Sequence, residues 1–200
     1  MNKRGIIFTL LLTTIAIFRL SAQDDFSIGP RVGVNFSDVS HVDNSKSLTG
    51  LALGLTSTYS FNESSGLTVD LLYSGEGYKA EDDEFRLNYL QIPIYYDMFF
   101  GDLGEQFRPK VYVGFVPGFL LSATLNGDGI DEKPLNGFNF AFSGGLGFNY
   151  RVGTRIWLNT DLRGYLGLSD IRDDEFQSGD KEANNNVQLS IGLAYGLGKL

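Results

Sequence analysis

His41 is the only histidine in the 200 residues. It stands between Ser40 and Asp43, residue types that in a fixed constellation would supply a nucleophile, a base and the group that orients the base. Such chemistry needs preorganised geometry, which a polar loop rarely gives, so no catalytic residue is assigned. Asn126-Gly127-Asp128-Gly129-Ile130-Asp131-Glu132 offers oxygen ligands in close succession, and calcium takes oxygen ligands. The segment lacks the spacing of an EF-hand loop, and an Asx-type turn accounts for it as well; no metal ligand is assigned. Gly144-Gly145-Leu146-Gly147 has the glycines of a phosphate-cradling loop, but no helix follows it. There is no Cys, which excludes disulfides, thiol catalysis and thiolate metal sites. No cofactor is expected. What remains are charged residues that alternate with apolar ones: Arg31, Asp70, Asp161 and Arg163.

That alternation organises the whole chain. From Phe138 to Tyr150, one set of alternate positions reads Phe138, Phe140, Phe142, Gly144, Leu146, Phe148, Tyr150. The other reads Asn139, Ala141, Ser143, Gly145, Gly147, Asn149. Successive side chains of a strand point to opposite faces, so one face is apolar and the other small or polar. The pattern suits a wall between lipid and a narrow polar lumen.

Eight strands are expected, at 26–37, 51–61, 66–74, 85–100, 108–123, 137–152, 155–169 and 186–197. Most are long enough to cross a bilayer at a tilt, which takes about 9–11 residues. The connections alternate: 62–65, 101–107 and 153–154 are short, whereas 37–50, 75–84, 124–136 and 170–185 are long. Antiparallel neighbours gather the short turns at one end and the long loops at the other. The expected architecture is therefore all-β, an eight-stranded antiparallel up-and-down transmembrane β-barrel. Both termini and the short turns would be periplasmic and the long loops extracellular. The long connections hold 16 of the 24 acids, Glu76 and Glu84 among them. A solvated rim explains this, and divalent-ion bridging to anionic lipid, or a basic partner, is the sharper alternative.

The expected outward rows include Val32, Val34 and Phe36, Leu51, Leu53 and Leu55, and Leu189, Ile191 and Leu193. No charge falls in them, as a lipid face requires. Tyr59, Phe61, Tyr73, Phe99, Phe100, Tyr150 and Tyr195 lie near strand ends, where aromatic belts form. The expected inward set is Arg31, Asn35, Asp70, Tyr112, Asn149, Arg151, Asn159, Asp161 and Arg163. Asp97 joins them only if strand four keeps its phase past Pro93, where a bulge would exchange its faces. Opposite charges in a narrow lumen must pair. A packed polar plug is the expectation, and a proton or ion path the alternative. Inward glycines, Gly33, Gly145 and Gly147 among them, leave room for the larger groups.

Residues 1–22 read as a secretory signal peptide, with Lys3 and Arg4 ahead of an apolar stretch from Ile6 to Phe18 and a small residue, Ala22, at the cut. Residues 23–200 form the barrel domain, with 13 basic and 24 acidic residues and a formal charge of −11. That balance disfavours nucleic acid. The mean hydropathy of −0.06 is too low for a helical membrane protein but compatible with a barrel.

Five segments carry a resemblance. They are Gly29-Pro30-Arg31-Val32-Gly33-Val34-Asn35, Leu90-Gln91-Ile92-Pro93-Ile94, Val113-Gly114-Phe115-Val116-Pro117-Gly118-Phe119-Leu120-Leu121, Phe140-Ala141-Phe142-Ser143-Gly144-Gly145-Leu146-Gly147 and Asn186-Val187-Gln188-Leu189-Ser190-Ile191-Gly192-Leu193. In order and spacing the chain resembles the PorT-like outer membrane β-barrel family of Bacteroidetes-type bacteria. The resemblance implies an eight-stranded barrel in the outer membrane of a Gram-negative envelope, and one namesake of the family is linked to type IX protein secretion. The expected function is a monomeric, non-enzymatic barrel embedded in outer-membrane lipid. It would serve as a structural or envelope protein, a small pore or a secretion accessory in contact with other envelope proteins. The competing functions are a small outer-membrane lipid-modifying enzyme and a soluble, lipocalin-like ligand carrier. The carrier would need the two faces reversed.

Overall fold

Alternation becomes strand almost throughout the computed structural model, which describes residues 26–40, 45–80, 83–102, 104–130, 135–172 and 182–197. The strands are β1 (Phe26–Val39), β2 (Ser45–Ser60), β3 (Ser65–Ala80), β4 (Asp83–Gln91), β5 (Ile94–Phe99), β6 (Phe107–Leu125), β7 (Asp128–Gly129), β8 (Phe138–Arg151), β9 (Ile156–Gly167) and β10 (Asn184–Gly196). Each long strand pairs antiparallel with its neighbours, and β10 returns to β1 with Arg31 opposite Gly192 and Val34 opposite Leu189. β4 and β5 are two halves of one stave, both lying between β3 and β6. β7 is a two-residue return against the end of β6. The wall is therefore an eight-stranded antiparallel up-and-down barrel, closed so that no sheet edge is left open. The expected signal peptide and His41 lie outside the described residues.

The stave made of β4 and β5 breaks at Ile92 and Pro93 because proline has no N–H for the ladder. The wall stays stitched there. The Asp70 N–H donates to the Pro93 carbonyl at 3.0 Å, and the Ile92 N–H donates to the Pro117 carbonyl at 2.9 Å. The phase does not flip: Tyr89, Gln91, Tyr95, Asp97 and Phe99 are buried, while Ile94, Tyr96 and Met98 are exposed. The irregularity falls on the facing strand. Asn88 pairs with Ser122 and Tyr89 with Leu120, so β6 carries one extra residue, Leu121.

Two of the four connections expected to be long are shorter than their sequence suggests: β2 already begins at Ser45, and only residues 81–82 separate β3 from β4. β3 continues beyond Ser74 to Ala80 and pairs with β4 out to Ala80 opposite Asp83, so residues 75–80 are strand, not loop. At the other end the Asn62 carboxamide oxygen accepts the Ser64 and Ser65 N–H groups, both at 2.9 Å, an Asx turn that joins β2 to β3. Asn126 and Gly127 both have positive φ, 53° and 90°, the pair a tight I′ hairpin needs between β6 and β7. The Asn126 side chain is committed to the β4 start, accepting the Glu84 N–H at 2.8 Å and donating to Asp83 Oδ1 at 2.7 Å. The Asn126 segment is thus a turn in its described part; Asp131 and Glu132 lie outside the described residues.

The outward rows form one apolar belt. Leu146 and Leu166 are each 60% exposed, and Val32, Leu53, Phe115, Leu189 and Ile191 each present about half of their surface. An apolar surface of this extent exceeds what soluble monomers leave to water. Tyr150, Tyr195, Phe61 and Phe100 stand exposed near the short-turn end. Phe99 does not join them: it points into the barrel and is 4% exposed, because it shares parity with Asp97 and not with Phe100.

Candidate functional site

The lumen is filled by polar side chains. Its middle layer holds three aspartates and three cations, brought together from five strands: Arg31 (β1), Asp70 (β3), Asp97 (β5), Lys110 (β6), and Asp161 and Arg163 (β9). All six are at most 3% exposed. Arg31 Nη1 donates to Asp161 Oδ2 at 2.5 Å and to the Ser190 hydroxyl at 2.9 Å, and its Nε lies 3.5 Å from Asp70 Oδ2. Arg163 Nη1 donates to the same Asp70 oxygen at 2.6 Å. Lys110 Nζ sits 2.9 Å from Asp161 Oδ1 and 3.8 Å from Asp97 Oδ1. The Thr68 hydroxyl closes the set by donating to Asp97 Oδ2 at 2.6 Å. The formal charges cancel within the layer. Taking any of these ions out of water costs several kcal/mol, and only a near neighbour of opposite sign offsets that.

Aromatic rings support the layer. The Arg163 guanidinium lies 4.8 Å from the Tyr95 ring centre, and Tyr95 packs edge-on against Tyr112 at 5.0 Å. The glycines make the room expected of them. A methyl group on Gly145 would meet the Tyr112 hydroxyl at 2.6 Å, and one on Gly147 would meet Asp161 Oδ1 at 2.6 Å.

Toward the long-loop end a chain of neutral groups follows. The Tyr165 hydroxyl donates to Gln188 Oε1 at 3.1 Å, and Gln188 Nε2 donates to Asn35 Oδ1 at 2.8 Å. Asn35 Nδ2 donates to the Ser74 hydroxyl at 2.8 Å, and that hydroxyl donates to Glu76 Oε1 at 2.9 Å. Glu76 also accepts from Gln91 Nε2 at 2.8 Å, from Asn186 Nδ2 at 3.2 Å and from Asn184 Nδ2. Near this end of the barrel, Val39, Leu87, Tyr89, Ala123 and Ile171 form an apolar cluster.

Arg31, Asp70, Asp161 and Arg163, expected to meet, do meet, and Asp97 joins them. Asn149 and Asn159 are buried together, Asn159 Nδ2 donating to Asn149 Oδ1 at 2.7 Å. Arg151 is a correction. It keeps the inward parity but is exposed at the last residue of β8, its guanidinium 5.9 Å from the Trp157 ring centre. Glu76 is a second correction: expected on the solvated rim, it is 2% exposed inside the barrel because β3 extends past it. Sequence reasoning also passed over Arg108 and Lys110, although both share the parity of Tyr112, which was the available signal. Among the described residues no three His, Cys, Asp or Glu side chains form a metal cluster.

The sequence profile of the outer membrane protein beta-barrel domain family matches residues 21–173. The chain belongs to that family. This outer-membrane barrel has β10 beyond the matched segment, yet β10 closes the ring. No curated protein matches it. Solved structures of low identity share its fold. Neisserial surface protein A superposes with a TM-score of 0.59 at 16% identity, covering 86% of this chain and 96% of that one. OprG of Pseudomonas aeruginosa gives 0.51 at 16% identity, with 87% and 96% covered. Outer membrane protein W of E. coli gives 0.51 at 13% identity, with 88% and 100% covered.

Proposed function

We propose that this outer-membrane barrel is a non-catalytic, closed-lumen envelope protein, embedded as a monomer in outer-membrane lipid with its short turns and termini in the periplasm. The observation that carries this reading is the neutral six-charge layer spanning the bore, which supports a plug rather than a path. An eight-stranded barrel is just wide enough for its own side chains, and here those side chains bond one another across the lumen. The absence of charge from the outward rows supports lipid as their surroundings. A lipid-modifying activity would need a nucleophile and base at the interface, and the charged residues of the bore face inward. The PorT-like affiliation, and with it a secretion-accessory role alongside other envelope proteins, rests on the strand motifs quoted above.

Single-channel recording of the refolded protein in planar bilayers tests the plug. The expected result is no conductance step across a wide range of voltages. Regular steps of uniform size, abolished by substitutions in the middle layer, would overturn the proposal in favour of a pore.

A further inference from the structure

We propose that Glu76, together with the side-chain amides of Gln91, Asn184 and Asn186, binds one hard metal cation inside the barrel. Glu76 is alone among the described lumen acids in having no Lys or Arg within ion-pair distance. Asp70, Asp97 and Asp161 each have a cation within 4.0 Å. Four neutral donors converge on its two oxygens from β3, β4 and β10.

The second observation lies on the other side of the same amides. The side-chain oxygens of Gln91, Asn184 and Asn186 are buried and accept no hydrogen bond from any described group. The three residues are only 3–4% exposed. A half-turn about the last side-chain torsion exchanges the oxygen and nitrogen of a primary amide. Turned in this way, the amides of Gln91 and Asn186 present oxygen where nitrogen now lies, 2.8 and 3.2 Å from Glu76 Oε1. Neighbouring oxygen ligands about 2.4 Å from a shared cation stand roughly 3 Å apart, so the spacing that now serves hydrogen bonds would also serve a common ligand shell. The turn exchanges amides donating to a carboxylate for amides and a carboxylate facing one ion. It also gives the three orphan oxygens a partner, while the three NH2 groups leave Glu76 for the positions those oxygens now hold. The Ser74 hydroxyl, fixed by Asn35, completes the set.

The ligands are all oxygen, which selects hard cations over soft ones. Charge selects further. The middle layer is already neutral, so Glu76 supplies one uncompensated negative charge, which a monovalent ion such as sodium balances and a divalent ion overshoots.

The test uses the full chain folded in a neutral detergent, with thermal unfolding followed by heat-modifiable gel mobility. Sodium chloride replaces choline chloride at constant total salt, and calcium chloride is titrated separately. The expected result is a midpoint that rises saturably with sodium, as binding to the folded state alone requires, and does not rise in Glu76→Gln. Asn186→Ala, which keeps the carboxylate, is expected to need more sodium for the same shift. It serves as the test if Glu76→Gln does not fold. A response to calcium alone that disappears in Glu76→Gln would support the same site with a divalent occupant. A calcium response that survives in Glu76→Gln, with no response to sodium in the parent, belongs to the acidic loops and would overturn the proposal. So would indifference to both ions, or an Asn186→Ala titration identical to the parent.

Discussion

Three aspartates in the middle of the barrel face cations; the glutamate nearer the long-loop end faces amides. Both arrangements bury carboxylates at the same low exposure, but they differ in what each partner can give up. In the middle layer every ion depends on an ion of opposite sign, so deletion leaves a buried charge unopposed. Around Glu76 the partners are neutral and can turn, so the site tolerates a change of charge state or occupant. The layers divide the work: one fixes strand positions across the bore, the other can respond.

Removing the hub of the middle layer is expected to have the largest effect. Asp161→Ala leaves Arg31 and Lys110 without their nearest carboxylate, and a broken buried pair costs about 3–5 kcal/mol. Urea unfolding of the barrel in lipid or detergent measures it, and a loss below about 1 kcal/mol would erase the contrast between the layers. Crowding the same carboxylate is expected to cost less. The added methyl of Gly147→Ala meets both Asp161 Oδ1 and the Thr160 carbonyl oxygen, and overpacking of this kind costs about 1–3 kcal/mol by the same assay.

Glu76→Gln sharpens the comparison from the other side. Measured in choline salts, with no small cation offered, it is expected to change stability by less than about 1 kcal/mol, since the shape and most hydrogen bonds survive. A loss as large as that of Asp161→Ala would mean that the layers are not different in kind.

The smallest effect concerns a carboxylate outside the lumen. Glu84, at the tip of the β3–β4 hairpin, accepts from Arg86 Nη2 at 2.7 Å and lies 3.2 Å from Lys79 Nζ. These contacts, Arg86 first, hold its carboxyl below the ordinary 4.5. A lowered value in the folded state contributes stability that is present above the unfolded value and lost as pH falls through the folded one. Solvent screens so exposed a group, so the Glu84→Gln difference is expected to be small, to vanish in acid and to shrink in high salt.

Parity was legible in the sequence and height was not. A period of two assigns each side chain to a face, which is why Arg31, Asp70, Asp161 and Arg163 were expected in the bore and the Leu and Phe rows outside. The same parity placed Arg151 inside, but it lies past the rim, where the bore gives way to solvent. Glu76 was misplaced for the converse reason. Glycine and acid in Ser74-Gly75-Glu76-Gly77 read as a loop, yet Gly77, at φ +138°, lets β3 continue toward its partner. Asn184 and Asn186 were hidden likewise, as polar residues beside a polar loop. Which amides meet which carboxylate across the bore depends on the stagger of strands distant in sequence, and no local pattern encodes that.

The pairing of β1 with β10 carries a consequence for biogenesis. Phe26–Val39 cannot find its last neighbour until Asn184–Gly196 has been synthesised, so the cylinder shuts only once that last strand is present. Contacts so distant along the chain form slowly. Until then two raw margins of backbone remain open to stray pairing, and a copy truncated before residue 184 would keep them open for good.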